Sequence, residues 1–112
     1  MKIVNLTKKT VVAYDVTPYR LLLDKIRGLM LRKEKQNIIL INGKKDHISI
    51  HTIGMFYPIY VLWLDEHLRV TAVEHMKPNK PAKTHIGLSV LEVSETCGFN
   101  TEVGDTLTAE AD

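Results

Sequence analysis

The sequence predicts a mainly β protein, an antiparallel sandwich or barrel of about seven strands with one short helix near the N-terminus. Short runs rich in β-branched and aromatic residues recur at close spacing, and turn residues separate them. A regular alternation of strands and helices, which would indicate a parallel sheet, does not occur. The predicted strands are residues 9–16, 37–41, 47–50, 59–64, 68–73 and 84–93, with a final short strand near 103–107.

One segment after the first strand has the signals of a helix. Thr17 is a suitable N-cap, Pro18 stands at the first helical position, where a missing N–H costs nothing, and Gly28 suits a left-handed C-cap. The apolar residues between them recur at helical spacing, namely Tyr19, Leu22, Leu23, Ile26 and Met30.

The middle of the chain predicts a hairpin and a central strand. Asn42 and Gly43 tolerate the positive φ of a tight turn, and they separate the runs 37–41 and 47–50. The run 59–64 is apolar at consecutive positions, as expected for a strand covered on both faces. Three lysines and two prolines mark 76–83 as an exposed loop, and 108–112 is predicted to be a frayed acidic tail.

Composition predicts one globular domain spanning residues 1–112, with its core at roughly 9–107. Of the 112 residues, 45% are hydrophobic and 25% are charged. The single Cys97 excludes an intrachain disulfide. The longest apolar run, 55–64, is too short to span a bilayer, and the N-terminus lacks the apolar stretch of a signal peptide. We therefore expect a cytoplasmic protein with no membrane partner.

Charge is distributed unevenly along the chain. Residues 1–50 hold 11 Lys and Arg against 4 Asp and Glu, whereas residues 51–112 hold 4 against 9. The basic segment 25–45 predicts phosphate contacts, and the loop lysines Lys77, Lys80 and Lys83 add a second cluster. However, no aromatic residue for base stacking lies between Tyr19 and Phe56. The nucleic-acid hypothesis uses Lys25, Arg27, Arg32, Lys33, Lys35, Lys44 and Lys45.

Three stretches resemble domain-of-unknown-function family 192, a set of small uncharacterised bacterial and archaeal proteins. They are R-G-L-M-L-R at 27–32, I-H-T-I-G-M-F-Y-P-I-Y-V-L-W-L-D at 50–65, and V-G-D at 103–105. The second is similar to the pattern of archaeal members, except that Tyr60 replaces the usual acidic residue. The resemblance implies a β sandwich of jelly-roll character with a helix near its start. It implies no established activity, substrate or cofactor.

The leading hypothesis is a non-catalytic module that binds a small ligand or a protein. Gly54 has no side chain, so another group can approach its backbone closely. The polar residues His51 and Thr52 precede it, on the segment that leads into the central strand. The predicted ligand-binding residues are Arg32, His51, Thr52 and Met55. A structural role for His51 and Thr52 at a bend, with Met55 in the core, is the alternative interpretation. We expect a monomer or a weak homodimer.

A metal-dependent enzyme is the remaining alternative. His47 and His51 would lie about 13 Å apart on a strand, too far to chelate one ion. His75 and His85 flank the lysine loop and are the weak metal candidates. No nucleophile elbow, phosphate loop or dinucleotide motif is present, and neither Cys97 nor the pair Asp65 and Glu66 indicates catalysis. No catalytic residue and no cofactor are predicted.

Overall fold

The computed structural model describes residues 1–20 and 35–111, which form eight β-strands in two sheets. The mainly β prediction is confirmed, with eight strands in place of about seven. Within the described ranges there is no helix, and so none that could span a membrane. The strands are β1 (Lys2–Asn5), β2 (Thr10–Ala13), β3 (Val16–Arg20), β4 (Asn37–Ile50), β5 (Ile59–Leu64), β6 (Val70–Met76), β7 (Lys83–Ser94) and β8 (Leu107–Glu110).

The smaller sheet has three strands in the order β2-β1-β8. Strand β1 pairs antiparallel with both neighbours, so Ile3 lies opposite Ala13 on one side and Ala109 on the other. The prediction of a frayed tail at 108–112 is therefore wrong for residues 108–110. These residues are ordered because their backbone groups pair with β1 up to Glu110.

The larger sheet has five strands in the order β3-β4-β7-β5-β6. Three neighbouring pairs are antiparallel, as predicted, but β3 and β4 are parallel, so the antiparallel prediction is wrong for this pair. Neither strand order closes on itself among the described residues, so the two-sheet arrangement is not a closed barrel.

The predicted start of the helix is wrong, because Thr17 and Pro18 lie in β3. Thr17 is opposite Ile38, and Pro18 is opposite Ile39. β3 is an edge strand, and an edge tolerates a proline that donates no hydrogen bond. Pairing with a distant strand thus outweighs the local cap signals. The rest of the predicted helix, from residue 21 to 30, lies outside the described residues.

The predicted hairpin at Asn42 and Gly43 is also wrong, because β4 runs as one long strand from Asn37 to Ile50. Both halves of β4 pair with β7, and residues 42–45 form an irregularity between the pairs Ile41 with Ser89 and Asp46 with Gly87. Gly43 does not have a positive φ. The two short runs share the long partner β7 instead of pairing with each other.

Strands β4 and β7 bend over one face of β5. Trp63 pairs in register with Val90, yet its ring centroid is 4.6 Å from that of His85. Trp63 Nε1–H also donates a hydrogen bond of 2.9 Å to the carbonyl of Ile48, the register partner of His85. In a straight strand, His85 and Val90 would lie about 16 Å apart. The contacts of Trp63 therefore require the bend.

Strand β5 carries two hydrophobic clusters on its opposite faces. Leu62 and Leu64 pack towards the three-stranded sheet, in a cluster that includes Ile3. Val61 and Trp63 pack on the other face, because side chains alternate across a strand. The prediction that 59–64 is a central strand covered on both faces is confirmed.

Candidate functional site

Two connections lie side by side at one end of the five-stranded sheet, the β4–β5 connection (51–58) and the β6–β7 connection (77–82). Thr52, which has no exposed surface, holds them together. Its Oγ1 donates to the Lys77 carbonyl at 2.6 Å and accepts from the Lys80 N–H at 2.8 Å. Its backbone N–H donates to the Lys80 carbonyl at 3.1 Å, and its own carbonyl accepts from the Asn79 N–H at 2.8 Å. The hydroxyl, the N–H and the carbonyl of Thr52 thus all form hydrogen bonds with the β6–β7 connection.

A second contact fixes the same loop. Asn79 has a φ of 60°, in the left-handed region, and its side-chain Oδ1 accepts a hydrogen bond of 3.0 Å from the Gly54 N–H. Gly54 itself has a φ of 86°, which a residue with a side chain rarely adopts. The loop between β6 and β7 therefore has a defined shape that is set by the β4–β5 connection.

The described members of the predicted ligand-binding set, His51, Thr52 and Met55, do not share an open surface. Met55 is buried in the same cluster as Trp63. His51 is half-buried, and its Nδ1 accepts a hydrogen bond of 3.2 Å from the Ile53 N–H. Arg32 lies outside the described residues. Contact of a ligand with Thr52 or Met55 would require this end of the protein to open. Their positions fit the alternative interpretation, in which Thr52 has a structural role at a bend and Met55 lies in the core.

The β6–β7 connection instead borders an open depression of about 460 Å³. We call it the loop pocket, and it is lined by His75, Met76, Lys77, Lys80, Pro81 and Lys83. No carboxylate lines it. All three lysines are exposed, and none forms an ion pair with the residues that the structure describes. Three ammonium groups on one depression create a positive potential that favours an anion.

The histidine of the loop pocket is held by its neighbours. His75 Nε2 forms a hydrogen bond with Glu95 Oε2. The His75 ring lies 4.8 Å from the ring of Tyr60, which stacks on Phe99 at 3.8 Å. Tyr60, at the position where the resembling family has an acidic residue, is therefore part of an aromatic stack beside the pocket.

The two metal candidates lie in separate clusters. His85 Nε2 is 2.8 Å from Glu74 Oε2 and its ring contacts Trp63, whereas His75 is paired with Glu95. Within residues 1–20 and 35–111, no group of three or more His, Cys, Asp or Glu side chains could hold a metal ion. Cys97 is exposed and forms no disulfide. His75 and His85 thus each serve as the partner of a single carboxylate.

The basic segment is only partly described. Lys25, Arg27, Arg32 and Lys33 lie outside the described residues, and Lys35, Lys44 and Lys45 are exposed. Lys45 precedes Asp46, which lies opposite Gly87, while Lys83 lies opposite Ile50. Four residues along a strand span about 13 Å. Lys44 and Lys45 therefore lie along β4, away from the loop pocket.

The V-G-D stretch forms a polar network at the other sheet. The carboxylate of Asp105, which is buried, accepts hydrogen bonds from Asn5 Nδ2 at 2.9 Å and from the Glu102 N–H at 3.0 Å. Lys8 Nζ lies 3.2 Å from the same carboxylate. Burial acts to raise the pKa of Asp105, but these three interactions outweigh it and hold the pKa below its usual value. The network stabilises the turn.

Sequence reasoning grouped the three loop lysines but missed their combination with His75, Met76 and Pro81. It also missed the role of Thr52 in holding the loop. One signal was available, since residues 75–91 contain no Asp or Glu. A loop with three lysines inside such a segment has no local carboxylate to neutralise it.

Comparisons with known proteins show the fold only. No family model matches the chain, and no curated protein is similar to it in sequence. A protein of unknown function from Novosphingobium aromaticivorans has a similar structure, with a TM-score of 0.78 and 15% identity over 96% of this chain and 82% of the other. A "putative transcription regulator" from Sinorhizobium meliloti has a TM-score of 0.78 and 14% identity, covering 96% of this chain and 89% of the other.

Proposed function

We propose that this protein is a non-catalytic binding module whose loop pocket takes a small anionic ligand, a carboxylate or a phosphate. The observation that supports the proposal is the set of Lys77, Lys80 and Lys83 around one depression whose lining contains no acidic side chain. Lysine is a common phosphate binder and acts as a point charge with three donors. His75 lies at the rim, where its Nε2 is already paired with Glu95.

The pocket is preorganised for this role. Thr52 and Asn79 fix the backbone from which Lys77 and Lys80 project, so a ligand does not have to order the loop. An exposed ion pair contributes only about 0–1 kcal/mol, so three lysines by themselves give weak binding, roughly millimolar. Pro81, which is exposed, offers apolar contact next to the lysines. The ligand that fits best has an anionic group joined to a small apolar part.

A titration tests this proposal. Nuclear magnetic resonance shifts or calorimetry with inorganic phosphate and with citrate, against chloride at equal ionic strength, should show saturable binding. Lys80→Gln and Lys83→Gln should weaken the binding several-fold, while Lys44→Gln, at an exposed lysine outside the pocket, should not. His51→Ala tests the ligand-binding set that the sequence predicts, and it should not change phosphate binding, because His51 does not line the loop pocket. Equal loss in Lys44→Gln and Lys80→Gln, or no saturable binding, would argue against an anion site.

Nucleic-acid binding is the second candidate. Lys44 and Lys45 extend the positive surface along β4, and one structural neighbour bears the name of a transcription regulator. Such binding should weaken steeply as salt increases, because each phosphate contact releases counterions. Filter binding of RNA and DNA, with the double variant Lys44→Gln and Lys45→Gln, checks this. A flat salt response would remove the candidate.

We also propose that the chain belongs to domain-of-unknown-function family 192, with a jelly-roll topology and a cytoplasmic location. The support is the three sequence stretches at 27–32, 50–65 and 103–105. We propose that it is a monomer or a weak homodimer, which light scattering across protein concentrations tests. A mass that stays at twice the chain mass on dilution would contradict this.

A further inference from the structure

The β4–β5 connection exposes two large apolar side chains at the same end of the molecule as the loop pocket. Phe56 is 66% exposed and Ile53 is 57% exposed. Single exposed apolar residues are common on proteins and need no explanation. Two within four residues, on a connection with defined hydrogen bonds, are less ordinary. We call this pair the apolar tip.

The exposure of the apolar tip is enforced by its neighbours. Met55 and Tyr57, on either side of Phe56, are 2% and 4% exposed and pack into the core beneath. Thr52, before Ile53, is tied to Lys77 and Lys80. Because these neighbours point inward, Phe56 and Ile53 cannot withdraw from solvent without unpacking the core.

The surroundings of the tip are basic. The Gly54 N–H, between the two apolar residues, is bound to Asn79, so the tip lies directly beside the loop that bears Lys77 and Lys80. Two segments meet here, 47–64 and 75–91, and neither contains an Asp or Glu. The result is a pair of apolar side chains next to lysines that form no ion pair with the residues the structure describes. One carboxylate lies near, because the Glu95 N–H donates to the Pro58 carbonyl at 3.2 Å and the Glu95 side chain is paired with His75.

We propose that the apolar tip and the adjacent lysines dock this protein onto an anionic lipid surface. Side chains such as Phe and Ile enter the boundary between headgroups and acyl chains, and lysines near the surface are attracted to anionic headgroups. The two features are complementary to a lipid surface at one end of the protein. The expectation that there is no membrane partner relied on the lack of a spanning segment, and a protein that lies on a membrane needs none.

Vesicle binding tests the proposal. In flotation with phosphatidylcholine vesicles that contain about one-third phosphatidylglycerol, the full chain should bind, and with phosphatidylcholine alone it should bind much less. Phe56→Ser should reduce binding at least about tenfold, from the apolar area that it no longer inserts. Lys77→Gln and Lys80→Gln should each reduce it about fivefold, with a loss that grows in low salt.

The matched control is Val103→Ser, since Val103 is 62% exposed on a turn at the other sheet. It should bind vesicles as the unmodified chain does. A circular dichroism melt verifies folding, and Ile53→Ser replaces Phe56→Ser if the latter unfolds. Absence of binding to the anionic vesicles, or equal binding by Phe56→Ser, overturns the proposal, as does Phe56-dependent binding to single-stranded DNA in place of vesicles. Phosphate titration of Phe56→Ser reports separately on the loop pocket, which Phe56 does not line.

Discussion

Thr52 and Lys80 are joined by a reciprocal pair of hydrogen bonds. The Thr52 N–H donates to the Lys80 carbonyl at 3.1 Å, and the Lys80 N–H donates to Thr52 Oγ1 at 2.8 Å. The two residues are far apart in sequence but bring together the β4–β5 and β6–β7 connections. The proposed anion site and the proposed lipid contact both depend on this join, because it sets the position of the lysines relative to the core.

Replacement of the Thr52 hydroxyl should destabilise the protein. Thr52→Val keeps the shape of the side chain but leaves the Lys77 carbonyl and the Lys80 N–H without their partner. The expected loss in the free energy of unfolding is about 1–3 kcal/mol, measured by urea denaturation. Thr17→Val, at an exposed position of β3, is the control and should change stability by less than about 0.5 kcal/mol. Equal effects of the two substitutions would contradict the role given to Thr52.

Asp105 should make the stability of the protein sensitive to acid. Its folded-state pKa is lowered, since hydrogen bonds from Asn5 and Glu102 and the charge of Lys8 outweigh the effect of burial. The stabilisation is therefore fully present above the unfolded pKa, about 3.9, and is lost as the pH falls through the lower folded pKa.

The variant Asp105→Asn isolates this contribution. It should be less stable than the unmodified chain at neutral pH, and the difference should shrink as the pH falls below about 4. Urea denaturation at several pH values measures how the free energy of unfolding of the unmodified chain and of the variant changes with pH. Asp65→Asn is an independent comparison, because the backbone N–H groups of Arg69 and His67 lower the pKa of Asp65 against the effect of its burial. A difference for Asp105→Asn that is constant with pH would refute the assignment.

Gly87 should not tolerate a side chain. A Cβ at this position would lie 3.2 Å from the Leu64 carbonyl oxygen and 3.4 Å from the Trp63 Cβ, where β7 passes over β5. Gly87→Ala should cost about 1–3 kcal/mol, because backbone atoms have to move. Gly43→Ala has nothing within 4 Å of the added atom, and it should be neutral or slightly stabilising. Thermal denaturation of both variants checks these two expectations. An unchanged melting temperature for Gly87→Ala would show that the backbone around Gly87 can move without cost and would contradict the prediction.

Replacement of Tyr60 by an acidic residue, which the family that this sequence resembles usually has at this position, should destabilise the protein. Tyr60→Asp removes the stack on Phe99 and brings a carboxylate close to His75 and its partner Glu95. We expect a loss of about 2–4 kcal/mol, while Tyr60→Phe, which retains the stacked ring, should stay within about 1 kcal/mol of the unmodified chain. An undiminished melting temperature for Tyr60→Asp would show that the stack contributes little.

The sequence by itself determined the mainly β class, the central strand 59–64 and the exposed lysine loop. Each depends on a local property, since side-chain alternation, continuous apolar runs and prolines act within a few residues. The sequence also shows that His51 and Thr52 are polar, but it does not show that Thr52 binds the β6–β7 connection.

Only the tertiary structure decided which secondary structure forms at Thr17, Pro18, Asn42 and Gly43. Their local signals favour a cap and a hairpin, but β3 and both halves of β4 found partners far along the chain, and a ladder of backbone hydrogen bonds outweighs one cap or turn. The same holds for the candidate site. Thr52 meets Lys80 only because two connections lie at the same end of the five-stranded sheet, and no periodicity within either segment encodes that contact.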